Sequence, residues 1–319
     1  MHPTLINIFG FPIHSYGFML ALSFLFGIWL SSHRAKNRSL DPTVVSDVGF
    51  YVILAAIIGA RLYYVLLHFE EFQGNIINIF NPVQNGLANL GIGGLVMYGG
   101  YIGAIVAGVL YFNIKKQPFL PYADAIAPSV GFGIFLTRIG CFLNGCCYGS
   151  HTHAPIGVEF PPGSPAGAYQ EEIGRKLALE LGHAVEHVPL WPSQLFLSAG
   201  GLIIGITILL AGRKKLFTGF EFYLTGLLYS ILRFAVDFTR FYAPDEKLGG
   251  LSHNQIVCIV LFLIFTGLIL KNVLFNDITP APVPVEKEPS ETPTEQPNQG
   301  SPGRETNQEQ NRGNNEAME

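Results

Sequence analysis

The chain has 319 residues, of which 49% are hydrophobic and only 13% charged. Soluble domains carry about 25% charged residues, so the composition excludes an ordinary soluble domain and predicts a polytopic membrane protein. The net charge of −4 says little because many of the acids lie in the C-terminal tail, and four cysteines in a chain this long are not a disulfide framework.

A membrane span needs roughly 20 apolar residues. In chain order the hydropathy predicts seven, at residues 15–32, 48–68, 93–113, 120–142, 194–212, 219–239 and 254–275. No cleavable signal peptide is expected, since the N-terminus lacks a basic n-region. The fourth span is the weakest, because it carries Asp124, Pro128 and Arg138. Short loops rich in Lys and Arg face the cytoplasm. Arg34, Lys36 and Arg38 follow span one, Lys115 and Lys116 follow span three, and Arg213, Lys214 and Lys215 follow span five. The pattern predicts an all-α protein with its N-terminus out and its C-terminus in. Residues 1–275 form the membrane domain, with an external loop at 143–193 read as structureless, either a cap or an acceptor-binding arm. Residues 276–319, rich in Pro, Glu, Gln and Asn, are expected to be a disordered cytoplasmic tail.

Depth follows from topology. Arg61, Arg138, Arg233 and Asp237 fall in the outer half of the membrane, with Tyr16 and Tyr98 near the outer ends of their spans. Only Asp124 lies near the inner end. A charge inside a bilayer costs at least about 2.5 kcal/mol and marks pairing or function. Polar groups gathered on one level suit a site that meets a lipid headgroup and an external partner. A transport path would spread them through the depth or centre them at the midplane. Arg233, Asp237 and Arg240 stand at i, i+4 and i+7, one helical face, where a plain ion pair still leaves one arginine for an anion. Arginine is the side chain best shaped to hold phosphate. Cys141, Cys146 and Cys147 lack the usual paired metal spacing and read as buried structural thiols, so no metal is expected. Gly99 and Gly103 form a small-xxx-small pair, which allows either helix packing or a cavity wall.

Seven segments in order resemble one family, the bacterial prolipoprotein diacylglyceryl transferases. They are HSYGFMLA (14–21), GARLYYVL (59–66), GGLVMYGGYIGA (93–104), TRIGCFLNGCCYG (137–149), WPSQLF (191–196), LRFAVDFTRF (232–241) and LSHNQI (251–256). The resemblance implies transfer of the diacylglyceryl group of phosphatidylglycerol to the lipobox cysteine thiol of preprolipoproteins, at the outer face of the bacterial cytoplasmic membrane. Expected partners are phosphatidylglycerol, lipobox signal peptides and membrane lipids, with no nucleic acid and no cofactor. The implied substrate-binding residues are Arg138, Asn144, Gly149, Arg240, Arg61 and Gln194. The implied catalytic residues are Tyr98, Arg233, Asp237 and Tyr16. The sequence departs from the family pattern where Tyr98 replaces a histidine often proposed as base. Cys141 stands where many members have asparagine and Cys146 where many have glutamate. Trp191 replaces the usual histidine, and Asp237 replaces glutamate. A histidine base is therefore not carried over. Two other readings share the site: a non-catalytic membrane protein that binds or transports an anionic lipid or solute, and a paralogous transferase with another acceptor.

Overall fold

The computed structural model describes residues 3–8, 11–72, 96–183, 188–214, 216–242 and 247–275. The predicted tail at 276–319 and residues 93–95 of the third predicted span lie outside these. The described chain is mainly helical: α1 (Ser15–Lys36), α2 (Pro42–Leu67), α3 (Phe69–Phe72), α4 (Met97–Lys115), α5 (Phe119–Asn144), α6 (Pro165–Leu181), α7 (Ser193–Ala211), α8 (Phe220–Asp237) and α9 (His253–Phe275). Among the described residues five helices (α1, α2, α5, α9, and α7 with its extension to Lys214) are long and apolar enough to cross a membrane. The fourth predicted span is among them, although Pro128 sits inside its helix. α4 and α8, 19 and 18 residues long, match the other two predicted spans in place.

Two short hairpins qualify the all-α expectation. β1 (Thr4–Ile8) pairs antiparallel with β2 (Phe11–His14) and runs directly into α1. β3 (Lys247–Leu248) pairs with β4 (Leu251–Ser252) through Gly249 and Gly250, both at positive φ. A tight hairpin turn asks for that backbone, and glycine adopts it without a steric penalty.

Small residues set how closely the helices approach. α2 and α4 cross where a Cβ on Gly99 would lie 2.2 Å from the Gly59 carbonyl oxygen, and one on Gly103 2.3 Å from the Ala55 oxygen. The Gly99–Gly103 pair thus packs helices, as small-xxx-small pairs do. Because the obstacle is backbone, Gly99→Val is expected to destabilise the protein by at least about 1–3 kcal/mol, read as a lower melting temperature in detergent. An unchanged melt would show that α2 and α4 can separate freely. α5 packs on α7 in the same way, with Gly131 against Gly201 and Gly205. α1 follows α5 through hydroxyl contacts, Ser31 to Ser129 (2.8 Å) and Thr137 to Ser23 (3.3 Å).

The charges at the end of the bundle that holds Asp124 form a lock that the hydropathy did not reveal. Asp124 accepts the amides of Gly219 (2.6 Å) and Phe222 (3.0 Å), capping the N-terminus of α8. Arg34 and Arg38 both pair with the Glu221 carboxylate, and Arg34 also reaches the Ala125 carbonyl at 3.2 Å. α1 runs through Lys36, so Arg34 lies on the helix rather than in a loop.

The 143–193 stretch is not structureless. α6 runs through it, capped by Ser164, whose Oγ accepts the Gly167 amide at 3.0 Å, with Pro165 opening the helix. Phe160, Ala166 and Leu190 form a small core here, with Phe142, Tyr148, Val158 and Tyr169 packed against it. The buried Gln170 side chain accepts the Phe160 amide (2.8 Å) and donates to the Val188 carbonyl (2.6 Å), tying the strand-like segments to α6.

Candidate functional site

The C-terminal ends of α5 and α8 meet the N-terminal ends of α1, α7 and α9, so side chains far apart in sequence share one end of the bundle. α5 closes on Gly145 at φ 70°. The Gly145 amide returns to the Phe142 carbonyl (3.1 Å) and the Cys146 amide to the Cys141 carbonyl (3.0 Å). This pair of bonds is a Schellman cap, which folds the chain back over the last helical turn. Cys147 follows in the same left-handed region, φ 60°. The result brings the Sγ atoms of Cys141, Cys146 and Cys147 within 4.8 Å of one another, all three as free thiols. Cys147 is held below the ordinary thiol range, because Cys141 and Cys146 hydrogen-bond to it and Arg138 and Arg240 stand nearby.

Arg138, one turn before Cys141, donates Nη1 to that thiol's Sγ at 3.9 Å. Gly140 lets α1 come close: a Cβ there would lie 2.9 Å from Met19 Cβ and 3.3 Å from Tyr16 Cα. Tyr16 is therefore near enough to interact electrostatically with Arg138 and all three thiols. Asn144 stands beside the Cys146 thiol. Gln194, fully buried at the start of α7, donates Nε2 to the Cys146 carbonyl at 2.8 Å. Gly149 is wedged where a Cβ would meet Thr239 O, Ser193 Oγ and Trp191 Cβ at 2.4–2.6 Å. Its lack of a side chain serves that crossing.

On α8, Arg233 Nη2 pairs with Asp237 Oδ1 at 3.2 Å. Asp237 is wholly buried and also accepts from Tyr242 Oη (2.8 Å) and Ser252 Oγ. Burial first, and then its bond to Asp237, push the Tyr242 phenol up, so it remains a donor. Ser252 and Gln255 form a capping box on α9, each amide bound by the other's side chain at 3.0–3.1 Å. The LSHNQI segment thus anchors Asp237 to the start of α9. Arg233 Nη1 is buried and has no hydrogen-bond acceptor among the described residues. A buried guanidinium nitrogen without an acceptor carries a desolvation cost that an anionic oxygen would remove.

Not every predicted residue joins this cluster in the predicted way. α8 ends at Asp237, so Arg240 does not share its helical face; it sits in the following turn, its amide on the Asp237 carbonyl (3.1 Å) and its side chain near Cys147. Arg61 lies over the Tyr64 and Phe72 rings, 5.6 Å from each centroid. Tyr98 is 67% exposed, and Tyr101, one turn further along α4, is the residue that approaches Tyr229. Tyr229 was missed. It stands one turn before Arg233, near enough to feel the charge of both Arg233 and Arg138. Its i−4 spacing to Arg233 was the available signal. Ser252 and Tyr242 carried none, since their partner Asp237 belongs to another element.

Comparison with known proteins gives the chain a family. The model of the prolipoprotein diacylglyceryl transferase family matches residues 3–271. A phosphatidylglycerol–prolipoprotein diacylglyceryl transferase of Clostridium tetani is 32% identical over 274 residues, 86% of this chain and 98% of the relative. A second, numbered 2 in Clostridium perfringens, is 30% identical over 275 residues, 86% of this chain and 95% of the relative. An Aeromonas salmonicida protein of the same name is 32% identical over 251 residues, covering 77% and 80%.

Proposed function

Because the chain belongs to the prolipoprotein diacylglyceryl transferase family, we propose that it moves the diacylglyceryl group of phosphatidylglycerol onto the lipobox cysteine of preprolipoproteins. The observation that carries the site assignment is the pair Arg138 and Arg233, both close to Tyr229, with Arg233 Nη1 buried and lacking an acceptor. The lipid phosphate takes that nitrogen and the Arg138 guanidinium. As the glycerol carbon–oxygen bond breaks, charge grows on the departing phosphate, and donors already in place stabilise it. Asp237 positions Arg233 through their ion pair, and its own bonds to Tyr242 and Ser252 hold it still. Tyr16 and Asn144 border the thiol side of the site, and Arg240 adds positive charge there.

Seven spans, N-terminus out and C-terminus in, put this cluster in the outer leaflet of the cytoplasmic membrane and the folded 143–193 stretch outside as a cap. The five span-length helices and the loop charges support that reading. The transport reading needed a polar path to Asp124. That carboxylate instead caps α8 beside the Arg34–Glu221–Arg38 lock, which speaks for a closed inner end.

The test is direct transfer. Purified protein in detergent receives phosphatidylglycerol and a lipobox peptide, and mass spectrometry reads the peptide and its Cys→Ser control. A diacylglyceryl mass gain on the cysteine peptide alone is expected. No gain, with phosphatidylglycerol still bound, would mean another acceptor or a binding protein. Within that assay Tyr229→Phe is expected to cost roughly tenfold in kcat/KM, the upper range for one neutral hydrogen bond. Tyr98→Phe is expected to cost about two- to threefold. The reverse order would return Tyr98 to the centre of the site.

A further inference from the structure

We propose that Cys141, Cys146 and Cys147 form a three-thiolate site for a thiophilic d10 cation such as zinc(II), whose fourth position takes the acceptor thiol of the transfer reaction. The second half rests on the function proposed above; the first half does not.

The geometry is close to what such an ion needs. Tetrahedral zinc with bonds of about 2.3 Å to sulfur holds its thiolates about 3.8 Å apart. The three sulfurs already lie within 4.8 Å of one another, so side-chain rotation of under about 1 Å per pair completes the set. The Schellman turn at Gly145 and the left-handed backbone at Cys147 bring both later thiols back onto the helix that carries Cys141. Gln194 and the Cys141 carbonyl hold the turn through the Cys146 carbonyl and amide. Charge agrees as well. Three thiolates and one divalent ion leave a net charge of −1, and Arg138 and Arg240 stand beside the cluster.

Among the described residues no fourth His, Cys, Asp or Glu joins the three. Structural zinc sites are closed by four protein ligands, whereas sites that act on a substrate keep a position open. The acceptor of this reaction is itself a thiol, and a thiolate is the nucleophile the chemistry requires. On coordination the acceptor S–H loses its proton to water and remains a thiolate. Its sulfur lone pair then forms the carbon–sulfur bond to the glycerol carbon. The carbon–oxygen bond breaks with its electrons, and glycerol phosphate leaves beside Arg138 and Arg233. No oxidant or reductant is needed. This arrangement also supplies what the sequence left without an owner, since tyrosine at position 98 is a poor base near neutral pH.

The probe is cadmium(II), added to reduced, chelator-treated full-length protein in detergent and followed by the ultraviolet cadmium–thiolate charge-transfer band, with zinc content measured in parallel by mass spectrometry. One ion per chain is expected, lost in Cys147→Ser and in Cys141→Ser and kept in Cys258→Ser, a buried cysteine on α9 outside the cluster. The band should grow by about one third when a lipobox cysteine peptide is added, and not with its serine control. Equal binding by wild type and Cys147→Ser, or an intact mass two hydrogens short in the cluster, would overturn the site. A bound ion whose band ignores the cysteine peptide would overturn the fourth position. Transfer should fall at least tenfold on chelation and return with zinc. Transfer unchanged by chelation would overturn the catalytic part while the transferase reading stands. An ion bound with no transfer at all would leave the metal site and remove the transferase reading.

Discussion

Arg138→Ala is expected to lower the transfer rate about 10²–10³-fold, the cost of removing one donor from a developing oxyanion, with the protein still folded. Arg138 lies near the end of α5, and its described contact is the Cys141 sulfur, so its removal strands no buried carboxylate. Arg138→Lys keeps the charge but loses the planar fork, and an intermediate rate is expected. Arg233→Ala should be equally damaging to turnover but also less stable, because Asp237 is wholly buried and would lose its cation. Adding Asp237→Asn to Arg233→Ala should restore much of the melting temperature and none of the rate. That split separates a phosphate-binding arginine from one that only balances a buried acid. Near-normal turnover of Arg138→Ala and Arg233→Ala with purified enzyme would sink the assignment of both.

The second large effect is on stability, at the other end of the molecule. Glu221→Gln is expected to destabilise the fold by about 3–5 kcal/mol, the usual cost of breaking a buried ion pair from one side. Glu221 is almost fully buried and holds both Arg34 and Arg38, which are themselves mostly covered. Its removal leaves two guanidiniums in a poorly hydrated place and loosens α1 from α8. The folded fraction should still transfer at close to the normal rate, because Glu221 lies 16 residues before Asp237 on one helix, about 24 Å along its axis. Thermal unfolding and single-turnover transfer, read on one preparation, separate the two. Unchanged melting would mean that the lock adds nothing to stability, as in ion-pair systems whose desolvation cancels their attraction.

The predicted spans at 120–142, 194–212, 219–239 and 254–275 lie within two residues of α5, α7, α8 and α9 at either end. Agreement of that kind has a local cause: in hydrocarbon each backbone amide must be satisfied within its own segment, so an apolar run of that length becomes a helix whatever its neighbours do. The first two helices extend further, to Lys36 and back to Pro42, because Arg34 and Arg38 are neutralised by Glu221 and Asp41 caps α2 through the Thr43 amide at 2.8 Å. The hairpin at 4–14 and helix α6 were not legible. Each leans on long-range packing, α6 on Phe160 and Leu190 in particular.

Within the site the same division holds. By itself the sequence determined the membrane class, the long apolar helices, the family motifs and the placing of Arg138, Arg233 and Asp237 near the ends of their helices, because each depends on residue type and helical period. Only the tertiary structure decided that Tyr229 lies near both arginines, that Ser252 and Tyr242 hold Asp237, that Asp124 is a helix cap, and that three thiols share one corner. Those pairings join elements up to about a hundred residues apart or turn on a single left-handed glycine. Hydropathy and spacing describe one segment at a time, whereas such contacts exist only once the helices have packed.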